Sequence, residues 1–372
     1  DCVKQKQTLS QEILLLKLRE QTYKDLLINR LQNVVSYREL QYQTTKKRKL
    51  WSIRKVLENY SDEIFKLIPC WMASPESVSA MFSMNLEANE KLFDLVIFDE
   101  ASQCFAEYGI PAIFRGKQVV IAGDSKQLQP NDLYQIRYEE DLSTSDVPHD
   151  SVLEIDSLLD LAAQYLPQTS LQGHYRSHSL DLIDFSNRFF YKNSLRLLPN
   201  YEEINKNEPS INYVKVEGIW ENNTNEIEAE KIIEIVNDLK QTSPEKSIGI
   251  VTFNHKQAEL IDSKLPNLQQ TQLSIKNIEN IQGDEFDIVI FSIGYAPDKQ
   301  GKMLMNFGSL NQQGGENRLN VGITRAREKI YVISSIFPNQ LRVEDSQNQG
   351  PKLLKKYLEY ALEVSQGKYL PK

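Results

Sequence analysis

The residues best suited to chemistry are two carboxylates that end an apolar run. Phe93–Gln103 reads FDLVIFDEASQ. An Asp at the tip of a strand can hold Mg²⁺ against nucleotide phosphates, and the next Glu can orient and deprotonate an attacking water. That assigns Asp99 to the metal and Glu100 to the base. The bland alternative is a pair of surface acids capping the helix that follows; the apolar strand in front and the ASQ behind weigh against it. About two dozen residues later GDSKQLQP (Gly123–Pro130) ends a second apolar run, QVVIA. Its Gln127 is a neutral amide able to bond the attacking water or a terminal phosphate, and Asp124 beside it is a second candidate for nucleotide contact. Alone, this stretch would read as a turn with a proline stop.

Four further segments follow the same theme. LQGHYRSHSLDLIDFSNRFFY (Leu171–Tyr191) carries a Tyr-Arg pair, Tyr175–Arg176. IGIVTFNHKQAELI (Ile248–Ile261) is a strand followed by a helix. IENIQGDEFDIVIFS (Ile278–Ser292) has Gly283 where the backbone must turn tightly, and NRLNVGITRAREKIYVISS (Asn317–Ser335) is rich in arginine. Each has a plain reading as core, or as a basic solvated face. His174 and His178 lie four apart, but no acid or thiol stands at a matching spacing for a metal site.

Together DEASQ and GDxxQLxP resemble motifs II and III of the superfamily 1 helicases, in particular the superfamily 1B branch that contains the nonsense-mediated-decay helicase. The later segments resemble motifs IV, V and VI. The resemblance implies two RecA-like α/β domains with ATP and Mg²⁺ between them and single-stranded DNA or RNA as partner. By the same resemblance Tyr175 lies against adenine, and Arg176 and Arg325 reach the γ-phosphate. Glu285 bonds the ribose hydroxyls, Gln282 faces the nucleic acid, and Arg318 and Arg327 stand in supporting ion pairs. PCWMASPESVS (Pro69–Ser79) resembles the strand-contacting segment ahead of motif II, where Ser74 and Ser77 could meet phosphates; a helix-capping turn accounts for them equally. Three positions depart from the pattern: Phe253–Asn254 for Pro-Tyr, Asn277 for Thr at a phosphate contact, and Gly322 for Ala.

These residues need strands to carry them. Short runs rich in Val and Ile at 93–98, 118–122, 248–253, 288–293 and 330–334 predict buried parallel strands with ligands at their carboxyl ends. Helices are predicted near 157–165, 227–239, 256–265 and 353–364. Residues 1–68 contain no Gly or Pro, and Leu9, Ile13, Leu16, Tyr23, Leu27, Leu31 and Val34 recur at helical spacing. That predicts a long amphipathic arm, broken near Thr44–Thr45, with a second helix over Trp51–Leu67. The expected division is an arm over 1–68, the latter part of a first RecA-like domain over 69–165, a second over 166–345, and a terminal helix over 346–372.

At 372 residues, 40% hydrophobic and 25% charged, the chain has room for two cores. No apolar run approaches a membrane span, and three scattered cysteines point to a reducing, cytoplasmic setting. The net charge of −8 is uneven: residues 1–60 hold 13 Lys/Arg against 6 Asp/Glu, with KKRK at 46–49 as a possible backbone contact. GxxxxGK[ST] does not occur in the sequence, although a motor of this kind needs its backbone N–H groups and Lys around the phosphates. The expectation is that this loop lies upstream, in a missing N-terminal part, and that residues 1–372 alone turn over little ATP. Two alternatives stay open: a nucleotide-switched binding or remodelling module that does not separate strands, and a motor that serves a nuclease or defence system.

Overall fold

The computed structural model describes residues 2–83, 91–130, 157–197, 208–265, 272–303, 307–312, 314–344 and 346–369. The acidic stretch EEDLSTSDVPHD (139–150) lies outside them. Packing divides the chain into two compact units, 1–122 and 123–372.

In the first unit, helices α1 (Cys2–Gln32), α2 (Val34–Thr45), α3 (Ile53–Leu67) and α4 (Pro75–Met81) precede strand β1 (Phe93–Phe98), helix α5 (Ala106–Ile113) and strand β2 (Gly116–Ile121). The arm is helical as its spacing predicts, but it also breaks at Asn33, which has left the helical region at φ −122°. The apolar residues that give the spacing, Leu9, Ile13, Leu16, Tyr23, Leu27, Leu31 and Val34, are all exposed. Only α3 has a well-covered face, where Leu57, Tyr60 and Ile64 join Leu40 and Phe82 in one core. Ser52 caps α3 by accepting the Lys55 N–H. Arg115 ties this core to the sheet, donating from Nε and Nη2 to the Phe82 carbonyl at 3.0 and 2.7 Å.

Strands β1 and β2 pair in parallel. Their burial also differs from expectation, since Leu95, Ile97 and Val120 are exposed. Two strands have too little neighbouring surface to cover both faces, and the described helices of this unit do not supply the rest.

The second unit contains helix α6 (Leu158–Tyr165), the short parallel pair β3 (Gly173–His174) and β4 (Arg196–Leu197), helix α7 (Asp181–Phe189), and a five-stranded sheet. That sheet has the order β5 (Ile211–Lys215), β9 (Ala326–Ser334), β8 (Phe286–Ser292), β6 (Ile248–Thr252), β7 (Leu273–Asn277), and every pairing is parallel. Helices α8 (Glu226–Thr242), α9 (His255–Lys264), α10 (Gly315–Ile323) and α11 (Gln349–Ser365) complete it. Successive strand residues point to opposite faces. Ile248, Ile250, Ile288 and Ile290 therefore pack with Ala229, Ile232 and Val236 of α8 and Ile261 of α9. Val251, Val289 and Phe291 pack the other way, with Leu319 and Val321 of α10 and Leu354 and Tyr357 of α11. Burial on both faces is why these strands read as unbroken apolar runs. The terminal helix is part of this core. The sequence set the domain boundary at 165/166, whereas by packing α6 and the loop 123–130 group with the second unit.

Candidate functional site

In the first unit β1 ends on the two carboxylates. Asp99 is exposed and its Oδ1 accepts the Glu100 N–H at 3.0 Å. Glu100 adopts a left-handed conformation, φ 53° and ψ 41°. Non-glycine residues rarely hold it, and it tends to persist where the surroundings over-determine it, often at functional positions. The strand tips are tied together: Ala122 N–H donates to Phe98 O and Ala101 N–H to Ala122 O, both at 2.9 Å. Ala101 and Ser102 behind the acids are buried. The tip thus holds one exposed carboxylate whose hard oxygens suit Mg²⁺, with a strained Glu beside it.

In the second unit the loop 123–130 is a compact turn. Asp124 O accepts the Gln127 N–H at 3.1 Å, and Asp124 Oδ1 accepts the Lys126 N–H at 2.8 Å. Four side chains bond it to the rest of the unit. Tyr191 Oη donates to Asp124 Oδ2 at 2.7 Å, and Asn320 Nδ2 donates to Lys126 O at 2.8 Å. Asn317 Nδ2 donates to Ser125 O at 3.2 Å, while Gln282 Oε1 accepts the Leu128 N–H at 3.0 Å. Segments taken from the sequence as motifs III, IV, V and VI therefore meet at one loop. Tyr191, Asn317 and Asn320 lay inside the quoted segments but carried no role there.

A second cluster sits at the N-terminal ends of β8 and β9. Glu285 Oε1 accepts from Arg176, with Nε at 2.8 Å and Nη2 at 2.7 Å, and Oε2 accepts from Arg327 Nη2 at 2.9 Å. Arg327 Nη1 lies 3.6 Å from Asp287 Oδ1, and Asp287 Oδ2 accepts both the N–H and the hydroxyl of Ser247. Burial raises the Glu285 pKa, but the bonds from Arg327 and Arg176 outweigh it and hold the carboxyl below its usual value. Both oxygens of Glu285 are thus taken by arginines, so contact with a ribose requires it to release one. Arg318 makes its own pair with Glu279 at 2.6 Å. Ser247 and Asp287 went unnoticed in the sequence because 40 residues separate them.

Arg325 is buried, with Nε donating to Val321 O at 2.8 Å and Nη2 to Thr324 Oγ1 at 3.2 Å. Gly283 has φ +88°, the turn that requires glycine, and open space where a side chain would stand. Its backbone can therefore be approached by a ligand. Tyr175 is 84% exposed, a ring face available for stacking. At Gly322 an added Cβ would lie 3.3 Å from the Phe291 ring, so the missing methyl suits that neighbour. His174 Nε2 accepts the Ser177 N–H and lies 2.9 Å from its hydroxyl. Burial, helped by the charge of Arg176, lowers its pKa to about 4, leaving it neutral.

The residues assigned to nucleic acid show local partners. Ser74 caps α4, accepting the Ser77 N–H at 3.3 Å, and its hydroxyl bonds that of Ser77. Asn277 Oδ1 accepts the Glu279 N–H at 3.1 Å at the end of β7. Lys46 lies over the rings of Tyr42 and Trp51, while Lys47, Arg48 and Lys49 are exposed. Among the described residues no helix is long and apolar enough to cross a membrane, and no group of His, Cys, Asp and Glu could hold a metal by itself.

AAA domain families match residues 5–131 and 155–336. The chain is 37% identical over 327 residues to an uncharacterised ATP-dependent helicase of Mycoplasma pneumoniae, the MG140 homolog, covering 82% of this chain and 28% of that protein. It is 37% identical over 325 residues to MG140 of Mycoplasma genitalium, with coverage of 81% and 28%. To the DNA replication ATP-dependent helicase/nuclease DNA2 of Gallus gallus it is 26% identical over 251 residues, covering 66% of this chain and 23% of that one. The chain spans less than a third of the length of these relatives. With motifs II to VI in order, two α/β units built on parallel strands, and these matches across most of its length, the chain belongs to the superfamily 1 helicases, a family of ATP-dependent enzymes.

Proposed function

We propose that these residues form part of an ATP-driven motor that moves along single-stranded DNA or RNA. The observation that carries this is the convergence in the second unit. The loop bearing Gln127 is bonded by Tyr191, Gln282, Asn317 and Asn320, and Glu285 gathers Arg176 and Arg327. These bonds bring residues from four separated segments to one region, which supports the reading that they serve one ligand.

Asp99 is the residue to hold Mg²⁺, and Glu100 takes the proton of the attacking water on its carboxylate. Gln127 orients that water. Arg176 and Arg325 supply positive charge to the phosphate, a role for which the planar, permanently charged guanidinium is suited. Tyr175 stacks on adenine, Gly283 and Asp124 line the nucleotide, and Glu285 reaches the ribose once it lets go of an arginine. Ser74, Ser77, Asn277 and Gln282 face the strand. Mg²⁺-ATP supplies the phosphoryl group and its free energy. GxxxxGK[ST] does not occur in these 372 residues, so purified 1–372 is expected to hydrolyse almost no ATP; turnover like that of a complete helicase would contradict this.

In the full-length protein, Glu100→Gln should lower turnover by at least about a hundredfold while leaving ATP binding intact. An unchanged ATPase rate would remove Glu100 from the base role.

A further inference from the structure

We infer that Tyr191 and Asn320 are positioning residues that fix the Gln127 amide so that its oxygen, not its nitrogen, meets the reacting centre. This rests on the reading of Gln127 as a residue at the terminal phosphate, and it favours one of the two partners that reading allows. A water is bonded through its hydrogen by an amide oxygen, whereas a phosphate oxygen would need the amide N–H.

The chain of bonds has one direction. Asn320 Nδ2 donates to Lys126 O at 2.8 Å and also to Tyr191 Oη at 3.0 Å. A carbonyl can only accept, so the nitrogen of Asn320 must lie on this side. Tyr191 Oη, having accepted, spends its one hydrogen on Asp124 Oδ2 at 2.7 Å. Burial, reinforced by the negative charge of Asp124, raises the Tyr191 pKa and keeps that hydrogen in place. Asp124 Oδ2 also accepts from Gln127 Nε2 at 3.0 Å, and Oδ1 is engaged by the Lys126 N–H. A carboxylate offers no hydrogen, so only the nitrogen of Gln127 can face it, and Oε1 is the end turned away from Asp124. Each bond polarises the next. Asn320 is fully buried on α10, so the origin of the chain is fixed by the core of the second unit.

Gln127 is thereby set up to receive a hydrogen from water. Donation to the phosphate would be left to the one Nε2 hydrogen that Asp124 does not use, on the end of the amide held at Asp124. Tyr191 and Asn320 act through Asp124 and touch neither water nor nucleotide.

The test is a double-mutant cycle on the full-length protein with Tyr191→Phe, Gln127→Ala and the pair, scored by kcat, by KM for ATP and by binding of the slowly hydrolysed analogue ATPγS. Tyr191→Phe keeps the ring and removes only the hydroxyl, and its melting temperature is measured alongside. The expected result is about a tenfold loss of kcat in Tyr191→Phe, with KM and ATPγS affinity within about twofold. Adding Tyr191→Phe to Gln127→Ala should cost less than about twofold more, because the residue being aimed is gone. Full kcat in Tyr191→Phe, equal losses in both backgrounds, or a loss confined to KM and ATPγS binding would overturn the inference. If Gln127→Ala alone retains full kcat, the failure lies with the reading of Gln127 itself.

Discussion

Two glutamates at opposite ends of the same sheet are treated in opposite ways. Glu228, on the first turn of α8, is fully buried where β8 and β9 end. Its Oε1 accepts the Ser335 N–H and hydroxyl at 2.9 and 2.8 Å, and its Oε2 accepts the Gly294 N–H at 2.8 Å and the Ser292 hydroxyl at 2.9 Å. Asn225 and Gln257 extend this network, with Asn225 Nδ2 bonded to Ser335 Oγ and Gln257 Nε2 to Ser292 Oγ. Glu285, where β8 and β9 begin, meets arginines and keeps part of its surface in water. Burial lifts the pKa of Glu228 to about 7 despite its four hydrogen bonds, while Arg327 and Arg176 hold that of Glu285 down despite burial. Neutral donors in a dry site stitch strand ends together permanently. Mobile cations at a wet site can be exchanged for a ligand. The first arrangement suits a fixed scaffold, the second a part that must change partners.

The largest expected effect breaks the closed end. Glu228→Ala removes the acceptor and leaves two backbone N–H groups and two hydroxyls facing each other without water. Unfolding in urea should show a loss of about 3–4 kcal/mol. A loss under about 1 kcal/mol would mean that the site rehydrates and is not closed.

A subtler change sharpens the same point through pH. The Glu228 pKa is higher in the folded protein than the usual glutamate value of 4.5. Its protonation therefore favours the fold, fully below about pH 4.5, and this contribution is lost as pH rises through about 7. In Glu228→Gln an amide nitrogen must face a backbone N–H whichever way it turns, because both carboxylate oxygens accept one. The variant should therefore be less stable than the parent by about 1–3 kcal/mol near pH 5. That gap should narrow toward pH 8, where the parent must ionise in place. A gap that stays constant between pH 5 and 8 would show that the carboxylate is charged throughout.

Much of this organisation is legible in the sequence where chemistry and fold constrain adjacent residues. FDLVIFDEASQ encodes a strand and its terminal acids in one stretch, and 248–253, 288–293 and 330–334 read as strands because both of their faces are buried. Strands β5 and β7, INYVK and LSIKN, mix polar and apolar residues at the sheet edges and give no such signal. The arm shows the reverse limit, since helical spacing predicts a helix but not what covers it. The bonds that make the site are harder still. Tyr191 to Asp124 spans 67 residues and Arg327 to Glu285 spans 42, and residue type alone does not encode who meets whom. Glu228 follows the cap residue Asn225 by three and so reads as an ordinary helix-opening acid, although its side chain turns to the strands instead.

The smallest stability effect belongs to the open end, and it separates the two ends most cleanly. Glu285→Gln keeps the size and one acceptor oxygen but removes the charge that Arg176 and Arg327 share. With side chains 23%, 29% and 43% exposed for Arg176, Glu285 and Arg327, water and ions screen the pairs, and the cost should stay within about 1 kcal/mol. Whatever cost there is should shrink between about 0.05 and 0.5 M NaCl, since screening lengths fall below 10 Å over that range. The cost of Glu228→Ala should not move with salt, because no ions reach a dry site. Thermal unfolding of both variants at the two salt concentrations decides the matter. If Glu285→Gln costs as much as Glu228→Ala, or is equally insensitive to salt, then Arg176 is locked rather than held in reserve, and it cannot be the arginine that leaves its carboxylate for a phosphate.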